Sequence, residues 1–110
     1  DKGNILENIV FIKLFRRDHR LFYFKQKNEC DFVYKNKNGK FEVAQVTYEL
    51  NDQNRNREIK GLLEAMEYFK LKKGLLLTYD QEDEIEVKDN KGKKRKIIMK
   101  PVWKWLLEKV

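Results

Sequence analysis

The chain contains very few of the residues on which many folds and active sites depend. It has one cysteine, one histidine and one proline among 110 residues. A single cysteine cannot form an internal disulfide, so Cys30 is predicted to be a reduced core residue. His19 lies in a charged turn, which argues against a redox or nucleophilic centre that uses Cys30. The scarcity of proline, with no repeat or low-complexity tract, indicates that the chain contains no linker.

The chain also lacks long hydrophobic runs. No apolar stretch approaches the roughly 20 residues that a membrane-spanning helix needs, and nothing at the start resembles a signal peptide. We therefore expect a cytoplasmic protein with no membrane partner. The chain opens on Asp1-Lys2-Gly3 without an initiator methionine, so we expect it to be a piece of a longer protein. Its length predicts one domain, residues 1–110.

Charge is abundant and uneven. Charged residues make up 39% of the chain, hydrophobic residues 41%, and the net charge is +7, which together favour a folded globule with polyanions as partners. Residues 80–84 are acidic. The basic segments are Arg16-Arg17, residues 35–40 and residues 91–96.

Two short runs rich in β-branched and aromatic residues, 30–35 and 41–48, flank the dipeptide Asn38-Gly39. This combination predicts a β-hairpin with Asn38-Gly39 at its turn, because Asn-Gly is a common hairpin-turn dipeptide. With period-two alternation, Glu29, Asp31 and Val33 share one face of the first strand. Gln45 and Thr47 share one face of the second. The hairpin therefore places two acidic groups near a polar pair.

The rest of the chain alternates between helical and extended patterns. Helices are predicted over 4–17 and 56–71, and a last short one after Pro101. Further strands are predicted over 20–25, 75–79, 84–88 and 95–100, the last two as a peripheral hairpin. The apolar stripe of the first helix comprises Ile5, Leu6, Ile9, Val10, Leu14 and Phe15.

Local signals also predict the helix ends. Asn4 is predicted to cap the first helix with Glu7 as its capping-box partner, and Gly74 to supply the left-handed cap of the second helix. The resulting order is α-β-β-β-α-β followed by β-β-α. This order predicts a mixed α/β fold with a parallel crossover between the strands on either side of the second helix.

This order of elements, with an acid on the first helix and Asp31 on a strand, resembles the restriction-endonuclease-like, or PD-(D/E)xK, nuclease fold. Several segments more narrowly resemble the carboxyl-terminal domain that follows a P-loop ATPase module in bacterial and archaeal ATPases. These segments are 3–10, 29–33, 45–48, 57–60 and 103–107. The resemblance implies an αβββαβ core with a carboxyl-terminal hairpin and short helix, and an amino-terminal P-loop ATPase module as partner.

In nucleases of that fold, acids on the helix and strands hold Mg²⁺ or Mn²⁺, and a strand lysine supports the reaction. By this resemblance, Glu7 and Asp31 match the helix acid and the first strand acid. Gln45 and Thr47 stand where the second acid and the lysine belong, so the resemblance implies a degenerate site with weak metal binding. Glu29 is a candidate substitute ligand. Lys25 and Lys60 are candidate substitutes for the lysine.

Three functions remain open from the sequence. The first is a nucleic-acid-binding accessory domain with a degenerate metal site, and DNA is the favoured ligand. The second is an active Mg²⁺-dependent DNA endonuclease, and the third is a protein-docking module whose basic surface is incidental. Trp103 and Trp105 are predicted to be core anchors or a seam against the ATPase module. The candidate phosphate contacts are Arg16, Arg17, Lys91, Lys93, Lys94, Arg95 and Lys96.

Overall fold

The computed structural model describes residues 1–17, 22–25 and 27–108, and for 22–25 it describes the backbone alone. His19, Gln26 and the side chain of Lys25 therefore lie outside the described residues. The elements, in chain order, are α1 (Lys2–Arg17), β1 (Phe22–Lys25), β2 (Glu29–Lys35), β3 (Phe41–Val46), α2 (Arg55–Tyr68), β4 (Lys73–Thr78), β5 (Asp83–Lys88), β6 (Lys94–Pro101) and α3 (Val102–Leu107).

The described strands form one mixed sheet in the order β1-β2-β3-β4-β6-β5. The first three strands are antiparallel, β4 runs parallel to β3, and β6 runs parallel to β4. β5 pairs antiparallel with β6 at the edge. The mixed α/β class, the central hairpin and the parallel crossover through α2 are therefore confirmed.

Helices cover both faces of the sheet. On one face α2 contributes Leu62, Ala65 and Met66 to a core that includes Val33 and Val43. On the other face α1 and α3 contribute Val10, Leu14 and Trp105 to a core that includes Tyr34 and Leu77. Alternate residues of β2 and β3 thus face opposite cores, as strand geometry requires. Trp105 is a core anchor as predicted, whereas Trp103 is exposed.

Both predictions of helix caps were wrong. α1 begins at Lys2, and Asp1 is its cap, because the N–H of Asn4 donates to Asp1 Oδ1 at 2.8 Å. Glu7 is therefore not a capping-box partner of Asn4. After α2, the left-handed position is taken by Lys70, with φ of 58°. Gly74 lies inside β4 instead, where a Cβ atom would stand 2.7 Å from Met66 Sδ.

Only half of the predicted apolar stripe of α1 is buried. Leu6, Val10 and Leu14 face the sheet at four-residue spacing. The exposed apolar residues of this helix are Ile5, Ile9, Phe11, Ile12 and Phe15. α1 is thus apolar on its outer side as well as its inner side. Among the described residues, no helix has the length and apolar character needed to cross a bilayer.

The alternation of β2 breaks near Asp31. Phe22 of β1 pairs with Val33, but Phe24 pairs with Cys30, so β2 contains one extra residue between these pairs. Such a bulge redirects side chains, and here it puts Cys30 in the same core as Val33. The predicted simple parity of residues 29, 31 and 33 is therefore wrong. Cys30 is a free, fully buried thiol, as predicted.

Candidate functional site

The topology gives the sheet two chemically different ends. β3, β4 and β6 are parallel, so their amino-terminal ends share one end of the sheet and their carboxyl-terminal ends share the other. Asp31 and Gln45 lie at the carboxyl-terminal end of β3. We call this the acidic end, and its carboxylates are those of Glu7, Glu29, Asp31, Glu49, Asp52, Glu58, Asp80, Glu82 and Asp83.

Asp31 is held against β3 by two hydrogen bonds. Its carboxylate Oδ2 accepts the backbone N–H of Val46 at 2.8 Å, and its own backbone N–H donates to Gln45 Oε1 at 2.8 Å. Both bonds lie just beyond the pair of Phe32 with Ala44, at which the described β2–β3 register begins. The predicted juxtaposition of Asp31 and Gln45 is therefore present, but each side chain bonds to the backbone of the opposite strand.

Gln45 is a structural bridge. Its Nε2 donates to the carbonyl oxygens of Glu29 (3.0 Å) and Glu58 (3.2 Å), while its Oε1 accepts from Asp31. The side chain is buried, so the two amide hydrogens satisfy carbonyl groups that water reaches poorly. A carboxylate has no hydrogen to donate to these carbonyls. An amide is therefore the group that this position requires.

The bridge depends on a close approach of α2 to β2. At Gly61 of α2, a Cβ atom would lie 1.9 Å from the carbonyl oxygen of Glu29 and 2.8 Å from Gln45 Nε2. Only glycine permits this contact between a helix and a strand backbone. Glu64, one turn later, accepts the N–H groups of Lys27 and Asn28 at 2.8 and 3.2 Å. α2 therefore fixes the loop before β2.

A pocket of about 380 Å³ opens beside these bonds. We call it the Asp31 pocket. Its lining residues are Lys27, Asn28, Glu29, Asp31, Gln45, Arg57 and Glu58. Sequence reasoning missed Lys27, Asn28, Arg57 and Glu58 as site residues. The signal for two of them was present, because Arg57 and Glu58 begin one of the segments that carry the family resemblance.

The carboxyl groups of the pocket hold protons more tightly than usual. Burial, followed by repulsion from Glu7, Glu58 and Glu29, raises the pKa of Asp31 to about 7, against the opposing effect of the Val46 N–H. Burial also raises the pKa of Glu58, and Arg57 opposes that shift. Both groups are therefore easier to ionise when a cation is near.

The other two predicted site residues are less central. Glu7 lines a neighbouring pocket with Asn4 and Phe32, although its charge acts on both Asp31 and Glu58. Thr47 is buried just beyond β3, where its hydroxyl lies 3.4 Å from Asn54 Nδ2 and 3.5 Å from the carbonyl of Glu49. Lys60 is exposed and does not line the Asp31 pocket.

The donor set of the Asp31 pocket matches a divalent cation only in part. Asp31 and Glu58 are oxygen ligands of the kind that Mg²⁺ and Mn²⁺ use, often with water or phosphate in the remaining positions. Gln45 is committed to three backbone groups. Within the described parts of the chain, no three carboxylate, cysteine or histidine side chains are grouped closely enough to hold a metal.

The opposite end of the sheet collects the basic segments. The β2–β3 turn, the start of β4 and the β5–β6 turn all lie there. α1 also ends there, because Arg17 Nη2 donates to the carbonyl of Lys35 at 3.2 Å. We call this the basic end, and its cations include Arg16, Arg17, Lys35, Lys37, Lys40, Lys72, Lys73, Lys91, Lys93, Lys94 and Lys96.

Arg95 does not belong to this surface. It is buried, and its Nε donates to Asp89 Oδ2 at 2.8 Å in an ion pair. Its Nη1 donates to the carbonyl of Leu71. Because Arg95 joins the β5–β6 hairpin to the end of α2, it is removed from the predicted phosphate contacts. The other predicted basic residues lie at the basic end.

Comparison with known proteins gives two matches. Residues 2–101 match a family described as "Domain of unknown function (DUF4143)". The chain is also similar to "Uncharacterized protein MJ1544" of Methanocaldococcus jannaschii, with 43% identity over 116 aligned positions. That alignment covers 97% of this chain and 25% of the archaeal protein, so the chain spans about a quarter of its relative's length.

Proposed function

The chain belongs to the DUF4143 domain family, and from that premise we propose that it is a nuclease-like accessory domain of a P-loop ATPase. In this proposal the domain binds nucleic acid, with DNA favoured, through its basic end and does not cut it. The element order supports the likeness to the restriction-endonuclease-like core. The length of the archaeal relative leaves room for an ATPase module in the same polypeptide.

The segregation of charge is the observation that carries the nucleic-acid proposal. Three basic segments that are far apart in sequence lie at one end of the sheet, and nine of the eleven cations named above are exposed. Lys96 forms an ion pair with Glu84 at 3.6 Å, and Arg17 packs over the Tyr34 ring. Closely spaced lysines that lack carboxylate partners attract a phosphate backbone and release its counterions.

The hydrogen bonds of Gln45 support the absence of cleavage. A nuclease of the resembled type needs an acid at this position and a cation two residues later. Here Gln45 bridges three backbone groups, and Thr47 is buried near Asn54. Both positions serve packing at the acidic end.

A divalent ion, if bound, would be held by Asp31 and Glu58, and it would supply charge neutralisation for an approaching phosphate. Burial and mutual repulsion already disfavour ionisation of these two groups. Binding must therefore compete with protons near neutral pH. We expect Mg²⁺ or Mn²⁺ affinity to be weak and to increase as the pH rises above 7.

The test combines binding with cleavage. Labelled DNA is titrated with the protein at two salt concentrations, and plasmid DNA is incubated with the protein in Mg²⁺ or Mn²⁺. We expect salt-sensitive binding and intact plasmid. Metal-dependent cutting that Asp31→Asn abolishes would replace this proposal with an active endonuclease in which Glu58 stands in for the missing acid. Absence of binding would overturn the nucleic-acid proposal.

The outer side of α1 favours a second candidate function, docking onto the remainder of a longer polypeptide. Five apolar residues of α1 are exposed, which is unusual for a helix that already buries its inner side. In the archaeal relative about three quarters of the protein lies outside the match and is available to cover such a face.

Hydrogen exchange tests this second function. The segment that corresponds to α1 is compared in the full-length archaeal relative and in its matched quarter alone. Docking predicts slower exchange in the full-length protein. Equal exchange in both would exclude docking through α1.

A further inference from the structure

A second pocket lies in the centre of the basic end. It has a volume of about 610 Å³, within the range of small-molecule sites. We call it the lysine-rimmed pocket. Its apolar wall includes Phe41, Val43, Leu75, Ile98 and Trp105, and its rim includes Lys40, Lys72 and Lys73. It is separate from the Asp31 pocket, with which it shares no lining residue.

The pocket exists because two parallel strands are not paired over their first residues. β3 pairs with β4 only from Ala44 and Leu75 onward. Residues 41–43 are paired on their other side with β2, and residues 73–74 with β6. Residues 41–43 of β3 and 73–74 of β4 therefore direct some of their backbone N–H and C=O groups into the gap between β3 and β4. These groups offer hydrogen bonds to the polar edge of a ligand.

The wall contains a donor without a partner. Trp105 is almost completely buried, and its Nε1–H has no hydrogen-bond acceptor within the described part of the chain. Buried donors of this kind are rare in folded proteins, because an unmade bond is unfavourable. Because this nitrogen is enclosed by protein atoms, a ligand in the adjoining pocket would change the surroundings of the Trp105 ring rather than bond to it.

The rim is positive after its own carboxylates are counted. Glu42 accepts a hydrogen bond from Asn36 Nδ2 at 2.8 Å, and Glu108 pairs with Lys100 at 2.8 Å. Lys40, Lys72 and Lys73 are exposed and form no ion pair with any described residue. The site thus combines an apolar, partly aromatic wall, a polar backbone edge and three cations.

We propose that the lysine-rimmed pocket accepts one unstacked base of single-stranded nucleic acid, whose flanking phosphates lie against Lys40, Lys72 and Lys73. A base has a flat apolar face and a polar edge, and stacking on aromatic rings is the usual way in which proteins bind single strands. A duplex keeps its bases stacked, so it reaches only the surrounding lysines. This inference rests on the proposed function and specifies its ligand as single-stranded.

The first experiment compares two DNA forms. A labelled strand of roughly ten thymidines, which matches the site size of common single-strand binders, and a blunt duplex are titrated with the protein by fluorescence anisotropy. We expect the single strand to bind about tenfold more tightly than the duplex. Phe41→Ala removes an aromatic wall without changing charge, and it should erase this preference while leaving duplex affinity unchanged. The matched control is Phe11→Ala, on the outer side of α1, which should change neither affinity.

A second measurement does not depend on Phe41→Ala being folded. The protein has two tryptophans, so Trp103→Phe, at an exposed position, leaves Trp105 as the only one. The single strand should change the Trp105 fluorescence at the same concentration at which anisotropy saturates. Equal affinity for strand and duplex with no change at Trp105 would overturn the pocket inference and leave the proposed function intact. Failure of both DNA forms to bind would overturn both.

Discussion

The two ends of the sheet differ in how their polar groups are used. At the acidic end Asp31 and Gln45 bond to backbone groups of neighbouring elements. At the basic end most lysines of three turns project from the surface, although Arg17 donates to the carbonyl of Lys35 and the buried Arg95 to that of Leu71. Asp31 and Gln45 therefore hold the fold together at one end, whereas most lysines at the other end are available to a partner.

The ends are also electrostatically separate. β4 has six residues, which span about 20 Å at the usual rise of a strand. Charges are screened over about 8 Å at physiological ionic strength. A polyanion at the basic end therefore interacts little with the carboxylates of the Asp31 pocket. The comparison predicts that substitutions at the acidic end change stability and that those at the basic end change binding.

The largest effect is expected at Gly61. In Gly61→Ala the new methyl group would overlap the carbonyl oxygen of Glu29, a backbone atom, so α2 must move away from β2. We expect a loss of about 3–4 kcal/mol in the free energy of unfolding, measured with urea. The matched control is Gly3→Ala in α1, where the nearest atom belongs to the flexible side chain of Asp1. If Gly61→Ala lowers the free energy of unfolding by less than about 1 kcal/mol, α2 and β2 are not in tight contact at Gly61.

The next effect is expected at Gln45. Gln45→Glu removes both donated hydrogen bonds and adds a charge beside Asp31, so we expect a loss of about 2–3 kcal/mol at pH 8. Gln81→Glu is the control, since the Gln81 side chain bridges only the backbone of Leu50 and is less buried. It should lose less. Unchanged stability of Gln45→Glu would show that the amide is not required.

A double substitution that restores the residues of the resembled nucleases tests the role of Gln45 and Thr47 further. Gln45→Glu with Thr47→Lys recreates the residues of the resembled nucleases, and Mn²⁺ should then recover part of the lost stability by binding the new carboxylate. Thermal unfolding with and without Mn²⁺ measures this. No response to the metal would leave the resemblance as one of fold alone.

A smaller, pH-dependent effect is expected at Asp31. Its pKa is raised to about 7 in the folded protein from 3.8, so the folded state binds the proton more tightly. Asp31 therefore reduces stability progressively as the pH rises from about 4 to 7, and the loss is complete above that range. Asp31→Asn stays neutral, and its amide oxygen can still accept the Val46 N–H.

Urea unfolding at two pH values tests this expectation. The stability advantage of Asp31→Asn over the unmodified protein should be about 1–2 kcal/mol larger at pH 8.5 than at pH 5, a value discounted because Asp31 is partly exposed to solvent. An advantage that does not grow between these two pH values would contradict the raised pKa.

The smallest effect on stability is expected at the basic end. Lys37→Glu with Lys94→Glu changes two exposed side chains in different turns, so the free energy of unfolding should change by less than about 0.5 kcal/mol. Thermal unfolding measures it. A larger loss would mean that the basic end, like the acidic end, contributes to the fold.

The sequence predicted those features that depend on local signals. Strand periodicity and the Asn38-Gly39 turn were enough to find the central hairpin, and helical periodicity was enough to find α2. Adjacent strands then placed Asp31 beside Gln45. These predictions succeeded because a hairpin brings residues together within a short segment.

Features that depend on distant contacts were missed. The bulge near Asp31 arises from pairing with β1. Glu58 lines the Asp31 pocket because α2 approaches the backbone of β2 closely at Gly61. The six-residue apolar stripe of α1 could not reveal which half meets the sheet. The basic turns lie at the same end of the sheet because β6 runs parallel to β4. The local pattern of a hairpin does not specify that direction, so this arrangement could not be predicted.

One measurement tests the central claim, that nucleic acid binds at the basic end and away from the Asp31 pocket. DNA affinity is measured against salt concentration for two double charge reversals, Lys37→Glu with Lys94→Glu at the basic end and Lys27→Glu with Arg57→Glu at the Asp31 pocket. Each lost phosphate contact lowers the slope of log affinity against log salt by about 0.9 for duplex DNA. We predict weaker binding and a shallower slope for the basic-end variant, with no change for the pocket variant. The reverse pattern would place the nucleic acid at the Asp31 pocket and contradict the account.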